Sequence, residues 1–212
     1  MTYMDERGEE DTLRLSVTRT WSNRTLPTNS YAWKKLRKQA LSNSNFSCKF
    51  CGIKSKKWMV CDHVDGDATN NSIDNLGIIC PICDLIRHCG RAGTQDQIIL
   101  HKSKLPQIEI VSKSQEFWKN NGRVPNPEEI DGDVIRVSKS AMTFGNKLMK
   151  TDYEDLSDED QSLRGFFTEK AGVIFNRIIP KSSFSISPHE DKSDADEPDE
   201  DELQRMYEDV FG

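Results

Sequence analysis

Four cysteines stand in two C-x-x-C pairs, Cys48 with Cys51 and Cys80 with Cys83, and 28 residues separate the pairs. Two such pairs match the tetrahedral thiolate coordination of a structural Zn2+ ion. Between them lie Asp62-His63 and an Asn-rich stretch, and Asp84 and His88 follow Cys83. Groups able to move protons or hold ions are therefore carried inside a metal staple. The other two cysteines, Cys61 and Cys89, read as buried thiols; His101 and His189 carry no pattern.

The elements that must position these groups follow from local rules. Asn29 or Ser30 can cap a helix running to about Leu41, with Trp33, Leu36 and Ala40 on one face and lysines on the other. Trp58-Met59-Val60 reads as a strand entering Cys61 to Val64, Asp65-Gly66-Asp67 as a turn, and Leu76 to Ile79 as a returning strand. A hairpin results. The second knuckle should open a helix on which Asp84 and His88 share a face, ended by Gly90 and Gly93. The gap between the pairs exceeds the roughly 15–20 residues of a plain four-cysteine module, as an inserted hairpin requires.

From Phe46 to His88 the C-x-x-C bracketing, the D-H dipeptide and the N-N and N-L of the loop resemble the HNH (ββα-metal) endonuclease family. The resemblance implies that His63 is a general base acting on water, that Asp62 binds a catalytic divalent ion (Mg2+ or Mn2+), and that Asn75 fixes the loop and the orientation of His63. Family members carry His or Asn after the second C-x-x-C. This chain has Asp84 there, so the last ion ligand is Asp84, which offers oxygen to a hard cation, or His88 one turn later. A longer resemblance, to the DotN/IcmJ family, rests on Cys48-Lys49-Phe50-Cys51-Gly52, Asp65-Gly66-Asp67, Thr69-Asn70-Asn71, Asn75-Leu76, Phe144-Gly145 and Ile178 to Phe184. It implies an adaptor with an HNH-like zinc fold that binds the coupling ATPase of a type IVB secretion complex.

Charge is unevenly spread. The net charge is -6, but Lys181 to Gly212 holds eleven acidic and three basic residues. Tyr31 to Val60 holds eight Lys or Arg and no Asp or Glu. Such a density, residues 34–57, attracts a DNA backbone, although a solvated helix face beside the zinc would look the same. Mean hydropathy is -0.70 and no run approaches the roughly 20 apolar residues of a membrane span, so no membrane insertion is expected. The acidic start and paired cysteines predict a reducing, cytoplasmic setting.

The expected fold is α+β, a zinc-stabilised HNH-like ββα module embedded in a mostly helical domain. Residues 1–29 form an N-terminal segment with a short strand at Leu13 to Val17, 30–93 the zinc module, and 94–180 a helical region. In that last region Ile110, Val111, Ser114, Phe117 and Trp118 form a stripe packing on the zinc module. Asn120 to Asp133 is a long loop, and helices lie around Ala141 to Leu148, after Ser157, and over Ala171 to Ile178. Residues 181–212 form a disordered acidic tail in which Leu203, Met206, Tyr207, Val210 and Phe211 have the spacing of a helix that docks on a partner. Three functions fit: an adaptor for a coupling ATPase, a metal-dependent DNA endonuclease, or a nucleic-acid-binding module without cleavage.

Overall fold

A computed structural model of the chain describes residues 12–17 and 24–179. The acidic tail and its docking segment lie outside the described residues. Helix α1 (Tyr31–Asn43) begins where Ser30 Oγ accepts the Trp33 amide (3.2 Å), and buries Trp33, Ala40 and Leu41. Strands β1 (Val60–His63) and β2 (Leu76–Ile79) pair antiparallel, Val60 opposite Ile79 and His63 opposite Leu76. Helix α2 (Pro81–Arg87) follows, with Cys80 as its cap and Pro81 in the first turn, where a missing N–H costs nothing. His88 interrupts it, and α3 (Cys89–Thr94) continues the chain. Gly90 and Gly93 lie within α3 and do not end α2, as spacing alone suggested.

Residues 13–17 are extended but form no strand ladder. The Ser16 amide donates to Ile86 O (3.2 Å) and the Cys89 amide to Ser16 O (3.1 Å), so this segment satisfies the α2–α3 break. The first strand of the hairpin also starts later than expected. Trp58 takes a positive φ of 68°, which no strand residue adopts, so pairing begins at Val60.

The larger correction concerns residues 94–180. Besides the expected helices this region holds a three-stranded antiparallel sheet, which the sequence reading missed, with β3 (Ile98–Lys102) in the centre, β4 (Ile135–Lys139) on one side and β5 (Leu163–Phe167) on the other. Short apolar runs such as Ile98-Ile99-Leu100 do not reveal by periodicity whether they are strand or helix; their partners decide. Around the sheet stand α4 (Gln107–Asn121), the single-turn α5 (Pro127–Ile130) inside the expected loop, α6 (Ala141–Leu148), α7 (Asp158–Gln161) and α8 (Gly172–Ile178). On α4, Ile110, Val111, Ser114 and Trp118 are buried as the stripe predicts, while Phe117 is half-buried. Gln107 at its start both donates to Gly165 O (2.9 Å) and accepts the Gly165 amide (2.8 Å), closing the outer edge of β5 as a neighbouring strand would.

The β3–β4 register shifts between Leu100 and His101. There the His101 side chain replaces a ladder acceptor: its Nδ1 accepts the Val137 amide at 3.2 Å, while its buried Nε2 has no hydrogen-bond partner among the described residues. Burial pushes the imidazole below its ordinary range; Arg136 adds to this and Glu128 opposes it. The folded chain therefore binds this proton less readily than the unfolded chain, and stability must fall as pH drops below about 6.5 toward the lowered folded-state value. Urea midpoints measured above and below that pH are expected to show the loss in wild type, and His101→Leu to lack the His101 share of it.

Candidate metal centre

The first knuckle is shaped by backbone hydrogen bonds: the Cys48 amide donates to Ile53 O (2.8 Å) and the Gly52 amide to Cys48 O (2.9 Å). Gly52, at φ 71°, takes the left-handed turn that lets Cys51 face back. In the second knuckle Cys80 caps α2, and the Cys83 amide approaches Cys80 Sγ at 3.5 Å. The Lys49 amide bonds Ile78 O (2.8 Å) and brings the two knuckles together across the hairpin.

The result is a cluster in which the sulfurs of Cys48, Cys51, Cys80 and Cys83 all lie within 4.8 Å of one another. Cys51 Sγ and Cys80 Sγ are 3.6 Å apart. Zinc–sulfur bonds of about 2.3 Å in a tetrahedron place sulfurs about 3.8 Å apart, so the donor set fits Zn2+. The charges agree. Hydrogen bonds from the Cys51, Cys80 and Cys83 thiols hold the Cys48 thiol far below its usual range, and donating to Cys48 pushes Cys80 and Cys83 far above theirs. Without a cation the cluster thus shares protons around Cys48; all four sulfurs could be thiolates this close only with a cation among them. When bound, zinc supplies a cross-link between the turn that carries Cys48 and Cys51 and the start of α2 that carries Cys80 and Cys83. Cys61 and Cys89 stand outside the cluster as buried thiols, pushed by burial to about 11 and about 12.

A residue that motif reading missed supports the centre. Gln115, on α4, points its Nε2 at Cys51 Sγ from 3.4 Å. Its only trace in the sequence is a polar residue within the buried stripe of α4.

Asp62 and His63 do not share a site. Neighbouring strand residues face opposite ways. His63, 2% exposed, stacks on the Trp33 ring of α1 with centroids 5.5 Å apart. Its Nε2 lies 3.2 Å from Asn71 Oδ1, and since Asn71 Nδ2 already donates to Thr25 Oγ1 (2.7 Å) and Thr69 O (3.1 Å), that ring nitrogen carries the proton. Asn75 Nδ2 donates within the loop to Asp65 Oδ1 (3.0 Å) and Asn70 O (2.8 Å), and it is Asn71 that contacts His63.

Asp62 faces the other way, toward Asp84 and His88, which do meet. His88 Nε2 is 3.5 Å from Asp62 Oδ1 and 3.3 Å from Asp84 Oδ1. Two arginines complete the cluster: Arg87 Nε donates to Asp62 Oδ2 (3.0 Å) and a terminal nitrogen of Arg91 to Asp84 Oδ2. Burial opposes the charge on Asp62, yet the His88 hydrogen bond and the Arg87 charge outweigh it and hold the carboxyl below its usual range; burial pushes Asp84 up. A divalent catalytic ion fits poorly here. Each carboxylate already gives one oxygen to a guanidinium, and the expected base points to the far side of β1.

Of the lysines in the basic stretch, Lys49 is half-buried and the other six are exposed. Lys34, Lys35 and Lys38 lie on α1, and Lys54, Lys56 and Lys57 on the loop before β1. Arg37 reaches from α1 to donate to Met59 O (3.1 Å), tying the helix to the residue before β1.

No family model matches the chain. It is similar to the type 4 apparatus protein DotN of Legionella pneumophila subsp. pneumophila (strain Philadelphia 1). The two are 25% identical over 83 residues, which is 38% of this chain and 39% of DotN. The chain thus spans about two fifths of the length of the relative it matches. No helix among the described residues is long and apolar enough to cross a membrane.

Proposed function

We propose that this chain is a zinc-stapled adaptor subunit of a type IV secretion or conjugation apparatus, working on its cytoplasmic side. In this reading Cys48, Cys51, Cys80 and Cys83 hold structural zinc in an HNH-like ββα module formed by β1, β2 and α2, and the module serves to present surface to protein partners. The observation that carries the reading is the similarity to a type 4 apparatus protein, DotN. The polar cluster supports it: His63 is packed flat against Trp33, and Asp62 is held by Arg87. Neither is arranged for a shared step of hydrolysis.

The partner expected is the coupling ATPase of the same apparatus. Co-expression with that ATPase should give a complex stable through size exclusion in wild type, and His63→Ala should leave it intact. A folded, zinc-loaded chain that elutes apart from the ATPase would sink the adaptor reading.

One observation favours a second reading, a nucleic-acid-binding module without cleavage. Lys34, Lys35, Lys38, Lys54 and Lys56 are exposed within a stretch, 31–60, that contains no carboxylate side chain. DNA binding that weakens steeply with salt would support it. Plasmid nicking in Mg2+ that His63→Ala abolishes would restore the endonuclease instead.

A further inference from the structure

We propose that Arg87 and Arg91 stand in for a cation between Asp62 and Asp84, and that removing Arg91 converts this metal-free lock into a divalent-ion site. The inference does not depend on the adaptor reading. It starts from two carboxylates, on β1 and α2, each 7% exposed. Buried charges persist when they are paired and hydrogen-bonded. Here two guanidinium groups, charged at any ordinary pH, balance two carboxylates one to one. A divalent ion added to that set would leave a buried excess of positive charge beside two arginines.

The other halves of the carboxylates have a different character. Asp62 Oδ1 and Asp84 Oδ1 both face His88 Nε2, at 3.5 Å and 3.3 Å. Asp84 Oδ1 is the one left over: it is buried and has no hydrogen-bond partner among the described residues, although His88 Nε2 lies 3.3 Å away. Two carboxylate oxygens, one of them orphaned, and one imidazole nitrogen form an O,O,N donor set suited to Mn2+ or a similar ion. Among the described residues only the four cysteines already have their donor atoms within 4.8 Å. The second set must close around an ion, and charge keeps it from doing so while both arginines remain.

The arginines differ in what else they hold. Arg87 also donates to His63 O (3.2 Å) and Val64 O (3.1 Å), tying α2 to the end of β1, so its loss would disturb the fold. Arg91 has a side chain 54% exposed whose ion pair, among the described residues, is with Asp84 alone. It lines, with His88, Thr94 and Met142, a 360 Å³ cleft through which an ion could enter.

The test is titration of the full, zinc-loaded chain with Mn2+ at neutral pH, reading free Mn2+ by electron paramagnetic resonance. Wild type is expected to show no saturable site up to ~1 mM, the upper end for weak oxygen-ligand sites. Arg91→Ala should gain one Mn2+ per chain, bound at least ~10-fold more tightly than that limit. Arg91→Lys, which keeps the charge, should gain none, and Asp84→Asn in the Arg91→Ala background should abolish the gain. A saturable wild-type site removed by Asp84→Asn overturns the proposal, as does a folded, zinc-loaded Arg91→Ala chain with no new site. Should Arg91→Ala fail to fold, Arg91→Gln keeps most of the side-chain volume and is held to the same two outcomes.

Discussion

Cys83→Ser is expected to abolish the folded state. Cys83 is fully buried at the first turn of α2, and its sulfur lies within 4.8 Å of the other three cysteine sulfurs. A serine hydroxyl there neither ligates zinc well nor finds a hydrogen-bond partner. Structural zinc in small domains contributes roughly 10–16 kcal/mol, whereas a whole domain is stable by roughly 5–15 kcal/mol. Losing one ligand therefore removes most or all of the margin. The check is metal analysis with circular dichroism: one zinc per chain and a cooperative urea transition in wild type, neither in Cys83→Ser. A variant that keeps the wild-type urea midpoint without zinc would show that packing, and not the metal, holds the two knuckles together.

Gly145→Ala is expected to be strongly destabilising. Helices α3 and α6 cross with almost no space between their backbones. A Cβ on Gly145 would stand 2.4 Å from Gly90 Cα and 2.8 Å from Gly90 N, both main-chain atoms that cannot rotate away. The helices must separate, at a cost of about 1–3 kcal/mol, more than any gain in helix propensity. The mirror substitution differs. A Cβ on Gly90 would meet Gly145 Cα at 3.4 Å, an ordinary contact. Gly90→Ala should thus range from neutral to stabilising by up to ~1 kcal/mol, because alanine loses less backbone entropy in a helix. Urea denaturation of the pair decides the matter: equal effects would mean that the α3–α6 crossing is looser than described.

Both predictions rest on features of different legibility. The zinc ligands were readable because C-x-x-C is a local device: two residues of spacing and a turn glycine set where the sulfurs go. The same holds for the Ser30 cap of α1 and the pairing of β1 with β2, whose partners lie a short loop apart. Gly90 and Gly145 were visible as glycines, but Gly90 reads as a helix stop by local rules; only the approach of α6 shows that it serves packing.

What the sequence by itself determined is the staple: which thiols gather, which hairpin they bracket and which helix the second pair opens. Chain-local hydrogen bonding and side-chain spacing suffice for that. What tertiary structure alone decided is how the charged groups inside the staple are used. Strand alternation sends His63 to Trp33 and Asp62 to Arg87, and α3 adds Arg91 to Asp84. Gln115 reaches Cys51 across 64 residues, and Gln107 closes the edge of β5 across 58. Contacts over such separations follow from which surfaces pack together, and periodicity along one segment carries no record of the segment that covers it. The sheet β4-β3-β5 is the clearest case, since the strand character of each short run comes from its neighbours.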